Sequence, residues 1–138
     1  MIVAMRFCTL LAVFCATLVQ AQELFTDFPN ASLASWTASE GNIHLVGEHT
    51  WTAEPDSYRW VHFRAEGMLD LQPEFTIGSP DSGFLGDLRE HRFVWSYDQQ
   101  NWDFFDNHSG SSFDFRFSND QPFVQNEVIV AYLSLIHI

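Results

Sequence analysis

Histidines and carboxylates are the side chains of this 138-residue chain that could hold a metal ion, and it has six of the former and eighteen of the latter. A zinc peptidase site needs histidine and carboxylate ligands at spacings that aim several of them at one ion. No histidine here is followed by a glutamate three positions later. The nearest arrangement is His44, Glu48 and His49, in which the glutamate stands one position too late for the inverted zinc motif. We therefore interpret these three as ordinary polar surface residues.

The sequence also lacks a recognisable nucleophile. It contains no Gly-x-Ser-x-Gly motif, and both of its cysteines, Cys8 and Cys15, lie near the N-terminus. Two carboxylates could flank a sugar bond as in glycosidases, but nothing singles out a pair. Asp98, Asp103 and Asp106 could surround calcium, yet their spacing lacks the glycine of a calcium loop, which favours turn capping. We predict no catalytic, metal-binding or cofactor-binding residue in this chain.

The N-terminus has the pattern of a secretory signal peptide. One basic residue, Arg6, precedes an apolar run from Phe7 to Val19, and Val19-Gln20-Ala21 places small side chains where a signal peptidase cleaves. A retained membrane anchor is the alternative, but a spanning helix needs about 20 apolar residues. We predict a signal peptide over residues 1–21, cleavage after Ala21, no membrane contact afterwards, and export to the periplasm or the extracellular space.

The C-terminal residues, 133–138, resemble the translated end of an adaptor used in preparing sequencing libraries. The alternative is a genuine last strand. On the first interpretation the natural sequence continues past Tyr132, and residues 133–138 form an adaptor-derived tail. Residues 22–132 are then one domain of ordinary size.

Composition limits the partners of this domain. The formal net charge is −12, with eighteen acidic residues and six basic ones, all arginine. A surface this acidic repels phosphate backbones, so we expect no nucleic-acid partner. Without cysteines after the signal segment, stability must come from the core, for which the twelve Phe and five Trp after Ala21 offer ample buried area.

Two aromatic-rich runs between Arg92 and Phe105 predict a β-hairpin. Trp95 lies in the first run and Trp102 in the second, and a polar turn separates them. Asp98 is placed to accept backbone N–H bonds across that turn. We predict Trp95, Asp98 and Trp102 to be structural residues of this hairpin.

Further strands follow from apolar alternation with a period of two. Val61, Phe63 and Ala65 are predicted on one face of a strand, with Trp60, His62 and Arg64 on the other. Similar reasoning gives strands over the four segments 43–46, 74–77, 113–117 and 127–132, the last apolar on both faces, and a turn over 107–111. The fold class predicted is all-β, an antiparallel, jelly-roll-like β-sandwich of seven or eight strands.

The longest segment without strand character runs from Gly78 to Glu90. Loops of about a dozen residues are long and often functional. Phe84, Leu85 and Leu88 give it apolar side chains. We predict that it folds down either on its own sandwich or on a neighbouring domain, and these three residues are our candidate domain contacts.

Several segments together resemble one protein family. Tyr58 to Gly67, Phe75 to Ile77, Val94 to Asp98 with Trp102, and Val128 to Tyr132 are similar in order and spacing to strands of the N-terminal β-sandwich of cytosolic-type, bacterial-like zinc metallocarboxypeptidases. The likeness covers residues 43–132, and no single motif in it is diagnostic. Where that family continues by a Pro-Tyr step into its catalytic domain, this chain has Leu133.

The resemblance implies a truncated fragment of such an enzyme. The parent would hydrolyse a C-terminal residue of a peptide or protein substrate with zinc-bound water, and its zinc ligands would lie in a catalytic domain that is missing here. That domain would be the partner in cis, and this fragment alone would show no catalysis. The alternatives are a secreted carbohydrate-binding β-sandwich, in which Trp36, Trp51 and Trp60 could stack on sugars, and a bare structural domain.

Overall fold

A computed structural model describes seven segments of the chain: residues 21–39, 41–47, 57–58, 61–78, 83–84, 93–111 and 114–132. These segments contain twelve strands and no helix. The strands are β1 (Glu23–Phe25), β2 (Ser35–Ser39), β3 (Asn42–Val46), β4 (Ser57–Tyr58), β5 (His62–Glu66), β6 (Glu74–Ile77), β7 (Gly83–Phe84), β8 (Phe93–Ser96), β9 (Asp103–Phe104), β10 (Asn107–Ser111), β11 (Asp114–Ser118) and β12 (Val128–Tyr132). No helix in these segments is long and apolar enough to cross a membrane.

The strands form two five-stranded sheets and one short pair. The first sheet has the order β1-β5-β12-β8-β9, the second has the order β10-β11-β6-β3-β2, and β4 pairs with β7. Apolar residues from both large sheets share one buried cluster, so the sheets pack face to face as a sandwich. The predicted all-β sandwich is confirmed, and eight of its described strands have four or five residues.

Two strand pairs depart from the wholly antiparallel expectation, the short pair of β4 with β7 and the pair of β3 with β6. β3 and β6 lie side by side in the second sheet and run parallel, with Ile43 opposite Phe75 and Leu45 opposite Ile77. Between them the chain crosses to the first sheet as β5 and then returns. Two crossings between sheets restore the original direction, which is why these neighbours are parallel.

The predicted turn over residues 107–111 is wrong, because this segment is strand β10. It pairs with β11 in continuous antiparallel register, from Asn107 opposite Ser118 to Ser111 opposite Asp114. Apart from His108 its residues are small, and none is aliphatic, so it carries no apolar alternation that would indicate a strand. The strand lies at the edge of the second sheet, where backbone hydrogen bonding to β11 suffices to hold it.

The core consists mainly of phenylalanine rings contributed by both sheets. Fully buried rings are Phe63, Phe75, Phe93, Phe105 and Phe117. Alternation predicted several of these faces correctly: β5 buries Phe63 and Ala65, β6 buries Phe75 and Ile77, and β11 buries Phe115 and Phe117. In β12 all five residues are buried, as expected for a central strand covered on both faces.

Candidate functional site

The hairpin predicted around Asp98 is present, and its carboxylate closes the turn. β8 and β9 pair with Val94 opposite Phe104 and Trp95 opposite Asp103. The backbone N–H groups of Gln100 and Asn101 each donate to Oδ1 of Asp98 at 2.8 Å. These bonds to the ionised form hold the pKa of Asp98 far below its ordinary value. Asp98 therefore has the structural role that the sequence predicted.

The side chain of Ser96 also stabilises this turn. Its buried hydroxyl accepts from the backbone N–H groups of Asp98 and Gln99, at 3.1 and 2.9 Å, and donates to Oδ1 of Asp98. Gln99 has a positive φ of 60°. The side chains of Ser96 and Asp98 thus stabilise a left-handed residue in a turn that contains no glycine.

The two tryptophans of the hairpin lie on opposite faces of the first sheet. The Trp95 ring points inward and meets Phe123 edge to face, with centroids 5.3 Å apart. The Trp102 ring lies 6.2 Å from the His62 ring of β5, although β9 and β5 are separated by β8 and β12. With strands spaced about 4.8 Å apart, Trp102 must lean back across the outer face of the sheet.

Two aromatic rings lie close to His62 on this outer face. Phe28 contacts it edge to face at 4.9 Å, and the Trp102 ring lies 6.2 Å away. Nδ1 of His62 is 3.1 Å from the carbonyl oxygen of Asn30. Burial beneath these rings lowers the pKa of His62, because desolvation penalises its charged form. We call Phe28, His62 and Trp102 the outer aromatic cluster.

Apolar residues on the outer face of the first sheet are buried without belonging to the core. Ile129 and Ala131 are 2% and 1% exposed, and Val94 is also buried, yet all three lie outside the buried cluster between the sheets. Strand register places Ala131 directly between His62 and Val94. Phe104, opposite Val94 on the same face, is 56% exposed. The aliphatic residues of this face are therefore already covered within the chain, whereas the ring of Phe104 is exposed.

A charged group borders the same face. The guanidinium of Arg64 is 3.2 Å from Asp27, 3.6 Å from Glu66 and 3.8 Å from Glu127, and it lies over the Phe25 ring at 5.0 Å. Three carboxylates thus share one cation, which leaves an excess of negative charge beside the aromatic cluster. The sequence predicted Arg64 on this face, but it gave no signal for Asp27 or Phe28, which lie outside any alternating strand.

The outer face of the second sheet is polar instead. One row of residues in register crosses β2, β3, β6 and β11 through Thr37, His44, Thr76 and Arg116. Nδ1 of His44 lies 3.0 Å from Oγ1 of Thr76, at the wall of an open concavity of about 480 Å³. The two outer faces of the sandwich thus differ sharply in chemistry.

Within the described segments, no group of three or more His, Cys, Asp or Glu side chains is arranged to hold a metal ion. The carboxylate of Asp106 accepts from the backbone N–H of Asp120 at 2.8 Å, so it serves a different turn from Asp98. Glu48 and His49 lie outside the described residues.

The predicted contact loop is described only in part. Gly83 and Phe84 form β7, parallel to Ser57 and Tyr58 of β4. Leu85 and Leu88 lie outside the described residues, as do Trp51 and Trp60 of the sugar-stacking hypothesis. Trp36 is partly buried against the core cluster.

Comparison with known proteins gives structural matches but no sequence match. No protein-family model matches the chain, and no curated protein matches it in sequence. A metallo-carboxypeptidase from Burkholderia cenocepacia superposes with a TM-score of 0.64 at 13% identity, over 80% of this chain and 28% of its own. A putative carboxypeptidase from Burkholderia mallei gives 0.63 at 18% identity, over the same shares of the two chains.

A third solved structure superposes similarly. The metallo-carboxypeptidase from Pseudomonas aeruginosa, in complex with (2-guanidinoethylmercapto)succinic acid, gives a TM-score of 0.60 at 21% identity, over 79% of this chain and 28% of its own. The chain shares its fold with a part of bacterial metallo-carboxypeptidases. It spans less than a third of the length of these enzymes.

Proposed function

We propose that this chain is the non-catalytic N-terminal β-sandwich domain of an exported zinc carboxypeptidase, whose catalytic domain follows Tyr132 in the complete protein. The observation that carries the proposal is the superposition of four-fifths of the chain on 28% of the B. cenocepacia enzyme. The order and spacing of the strands, which resemble that family's N-terminal domain, support it independently. The adaptor-derived tail at residues 133–138 and the signal peptide at residues 1–21 belong to the same proposal.

The polar residues of the chain support a structural role. Asp98 and Ser96 hold a turn, Asp106 accepts from the backbone of Asp120, and Arg64 is bound by carboxylates. These side chains supply no set of ligands that fits zinc. In the complete enzyme, zinc would activate a water molecule within the other domain, and no step of that reaction uses the residues described above.

The position of the last strand agrees with a domain linked in cis. β12 lies at the centre of the first sheet, and Tyr132 pairs with Phe93 at the beginning of β8. The predicted contact loop, with Phe84, Leu85 and Leu88, precedes Phe93 in the chain. Phe93, the first described residue after the loop, and Tyr132 therefore lie at the same end of the sandwich. We propose that the sandwich shapes the entrance to the catalytic site from this end.

Activity measurements on the complete protein test the proposal. The product of the uninterrupted gene should release C-terminal residues from peptides, and a zinc chelator should abolish that release, because zinc activates the attacking water. The 138-residue chain should release none under the same conditions. Chelator-insensitive activity, or release of residues by the 138-residue chain itself, would overturn the proposal.

A further inference from the structure

The outer face of the second sheet contains an open concavity of about 480 Å³, a volume within the range of sites for small ligands. The described residues that line it are Thr37, Ser39, Asn42, His44 and Thr76. They come from the neighbouring strands β2, β3 and β6, and the strand register places Thr37 opposite His44 and His44 opposite Thr76. Because paired strands carry them, these side chains are held in defined positions relative to one another.

The lining of this concavity offers neutral groups that both donate and accept hydrogen bonds. The hydroxyls of Thr37, Ser39 and Thr76 do both, and the amide of Asn42 has a donor side and an acceptor side. The ring of His44 is held by the contact of its Nδ1 with Oγ1 of Thr76 at 3.0 Å. None of these lining residues is a carboxylate, a lysine or an arginine. A ligand that matches them is itself neutral and rich in hydrogen-bonding groups.

Other classes of ligand fit this lining poorly. A metal ion needs several His or carboxylate ligands, and the lining contains one histidine and no carboxylate. An anion needs an available cation, but the next residue in the register row, Arg116, lies 3.1 Å from Asp114 and 3.6 Å from Glu74. An apolar ligand needs apolar walls, and the described lining has no apolar residue.

We propose that this concavity binds a neutral saccharide, whose neighbouring ring hydroxyls each donate and accept as the lining groups do. The inference goes beyond the proposed function and does not depend on a catalytic domain after Tyr132. It also moves the candidate sugar contacts away from tryptophan, because Trp36 packs against the core whereas the next residue, Thr37, lines the concavity. Since the concavity is open, a bound sugar keeps part of its surface in water, and we expect weak, millimolar binding.

Nuclear magnetic resonance titration of the 138-residue chain tests the proposal. The probes are a linear oligosaccharide of glucose and one of N-acetylglucosamine. At least one of them should cause saturable shifts of the backbone amide signals of Thr37, His44 and Thr76. The amide signals of Gln100 and Asn101, in the hairpin turn of the first sheet, should stay in place. The absence of saturable shifts with both probes, or shifts confined to other parts of the chain, would overturn the proposal.

A pair of substitutions on the same outer face separates a specific site from general contact with the sheet. Thr37→Val removes a lining hydroxyl at nearly constant volume and should weaken binding about fivefold, as expected for one lost hydrogen bond. Ser109→Ala is the matched control, because Ser109 lies opposite Arg116 in β10 and outside the lining, and it should leave the affinity unchanged. Ser39→Ala replaces Thr37→Val if that variant does not fold. Equal effects of the lining and control substitutions would contradict the site.

The class of ligand is tested with a third probe, an uncharged peptide of similar length. The peptide should cause no saturable shift of the lining residues. Shifts of the same signals by the peptide but by neither sugar would show that the concavity is not a saccharide site. Because these titrations need no catalytic domain, a failure here leaves the proposed function intact, and a stop codon after Tyr132 would leave the saccharide site intact.

Discussion

The rings of Phe93 and Phe117 stack across the sandwich, with centroids 4.0 Å apart and planes only 8° from parallel. Phe93 begins β8 in the first sheet, and Phe117 lies in β11 of the second. Phe117 also stacks on Phe75 at 5.1 Å. This contact therefore joins the aromatic hairpin to the opposite sheet, and we expect the stability of the fold to depend on it.

Removing the buried ring of Phe93 should remove a large part of the stability of the fold. Phe93→Ala removes a fully buried ring that contacts Phe115, Phe117 and Tyr132, and we expect a loss of about 3–5 kcal/mol in the free energy of unfolding. Chemical denaturation followed by tryptophan fluorescence measures this loss. Phe104→Ala is the matched control, because its half-exposed ring should cost far less. Equal losses in both variants would show that the interior is not packed around Phe93.

The carboxylate of Asp98 should stabilise the hairpin in its ionised form. Asp98→Ala removes the acceptor of two backbone N–H bonds, whereas Asp98→Asn keeps an oxygen in that position. We therefore expect the thermal midpoint at pH 7 to fall more for Asp98→Ala than for Asp98→Asn. Thermal unfolding followed by circular dichroism tests this order, and a reversed order would contradict the turn described above.

Asp98 should also make the stability of the fold depend on pH. Because the pKa of Asp98 is lower in the folded state than in the unfolded state, its contribution is full above the ordinary value near 4 and is lost as pH falls through the folded value. The difference in thermal midpoint between the wild type and Asp98→Asn should therefore shrink as the medium becomes more acidic than about pH 4. A difference that stays constant down to the acid limit of folding would show that ionisation has no part in it.

Gly110 should tolerate no side chain for two reasons, its backbone conformation and a lack of space. Comparison with Gly41 separates the two effects. The φ of Gly110 is 96°, and a Cβ there would collide with the carbonyl oxygen of Asp114. Gly41 has a similar φ of 84° but open space around it. We expect Gly41→Ala to cost about 1 kcal/mol of backbone strain, and Gly110→Ala to cost clearly more. Equal costs, measured by urea denaturation, would show that β10 does not lie against β11 as described.

His62 should make the fold less stable in mild acid. Its lowered pKa means that the unfolded chain binds a proton more readily, so stability falls as pH drops below the ordinary value of about 6.5. Replacing it in His62→Gln should flatten the dependence of the thermal midpoint between about pH 7 and pH 5. An unchanged slope in that variant would contradict the burial of His62 beside Phe28 and Trp102.

Local patterns predicted much of the sandwich, because alternation reports directly which residues of a strand face the core. The faces of β5 and β6 and the role of Asp98 follow from residues within one strand or one turn. The strand β10 escaped prediction because Asn107 to Ser111 carry no apolar pattern. The parallel pairing of β3 with β6 depends on which strands become neighbours, which local patterns do not encode.

The outer aromatic cluster was less accessible to sequence reasoning for the same reason. Trp102 was predicted as a hairpin residue, but its approach to His62 depends on two strands that lie between them in the sheet. Phe28 and Asp27 belong to a segment with a mixed signal, so nothing in the sequence linked them to Arg64. Only the assembled sheet brings these residues to one face.

Reading the uninterrupted gene beyond the codon for Tyr132 tests the central claim most directly. The account predicts an open reading frame that continues into a catalytic domain containing a His-x-x-Glu pair and a later histidine, which together could bind zinc. A stop codon soon after Tyr132, or a downstream sequence without such ligands, would contradict it.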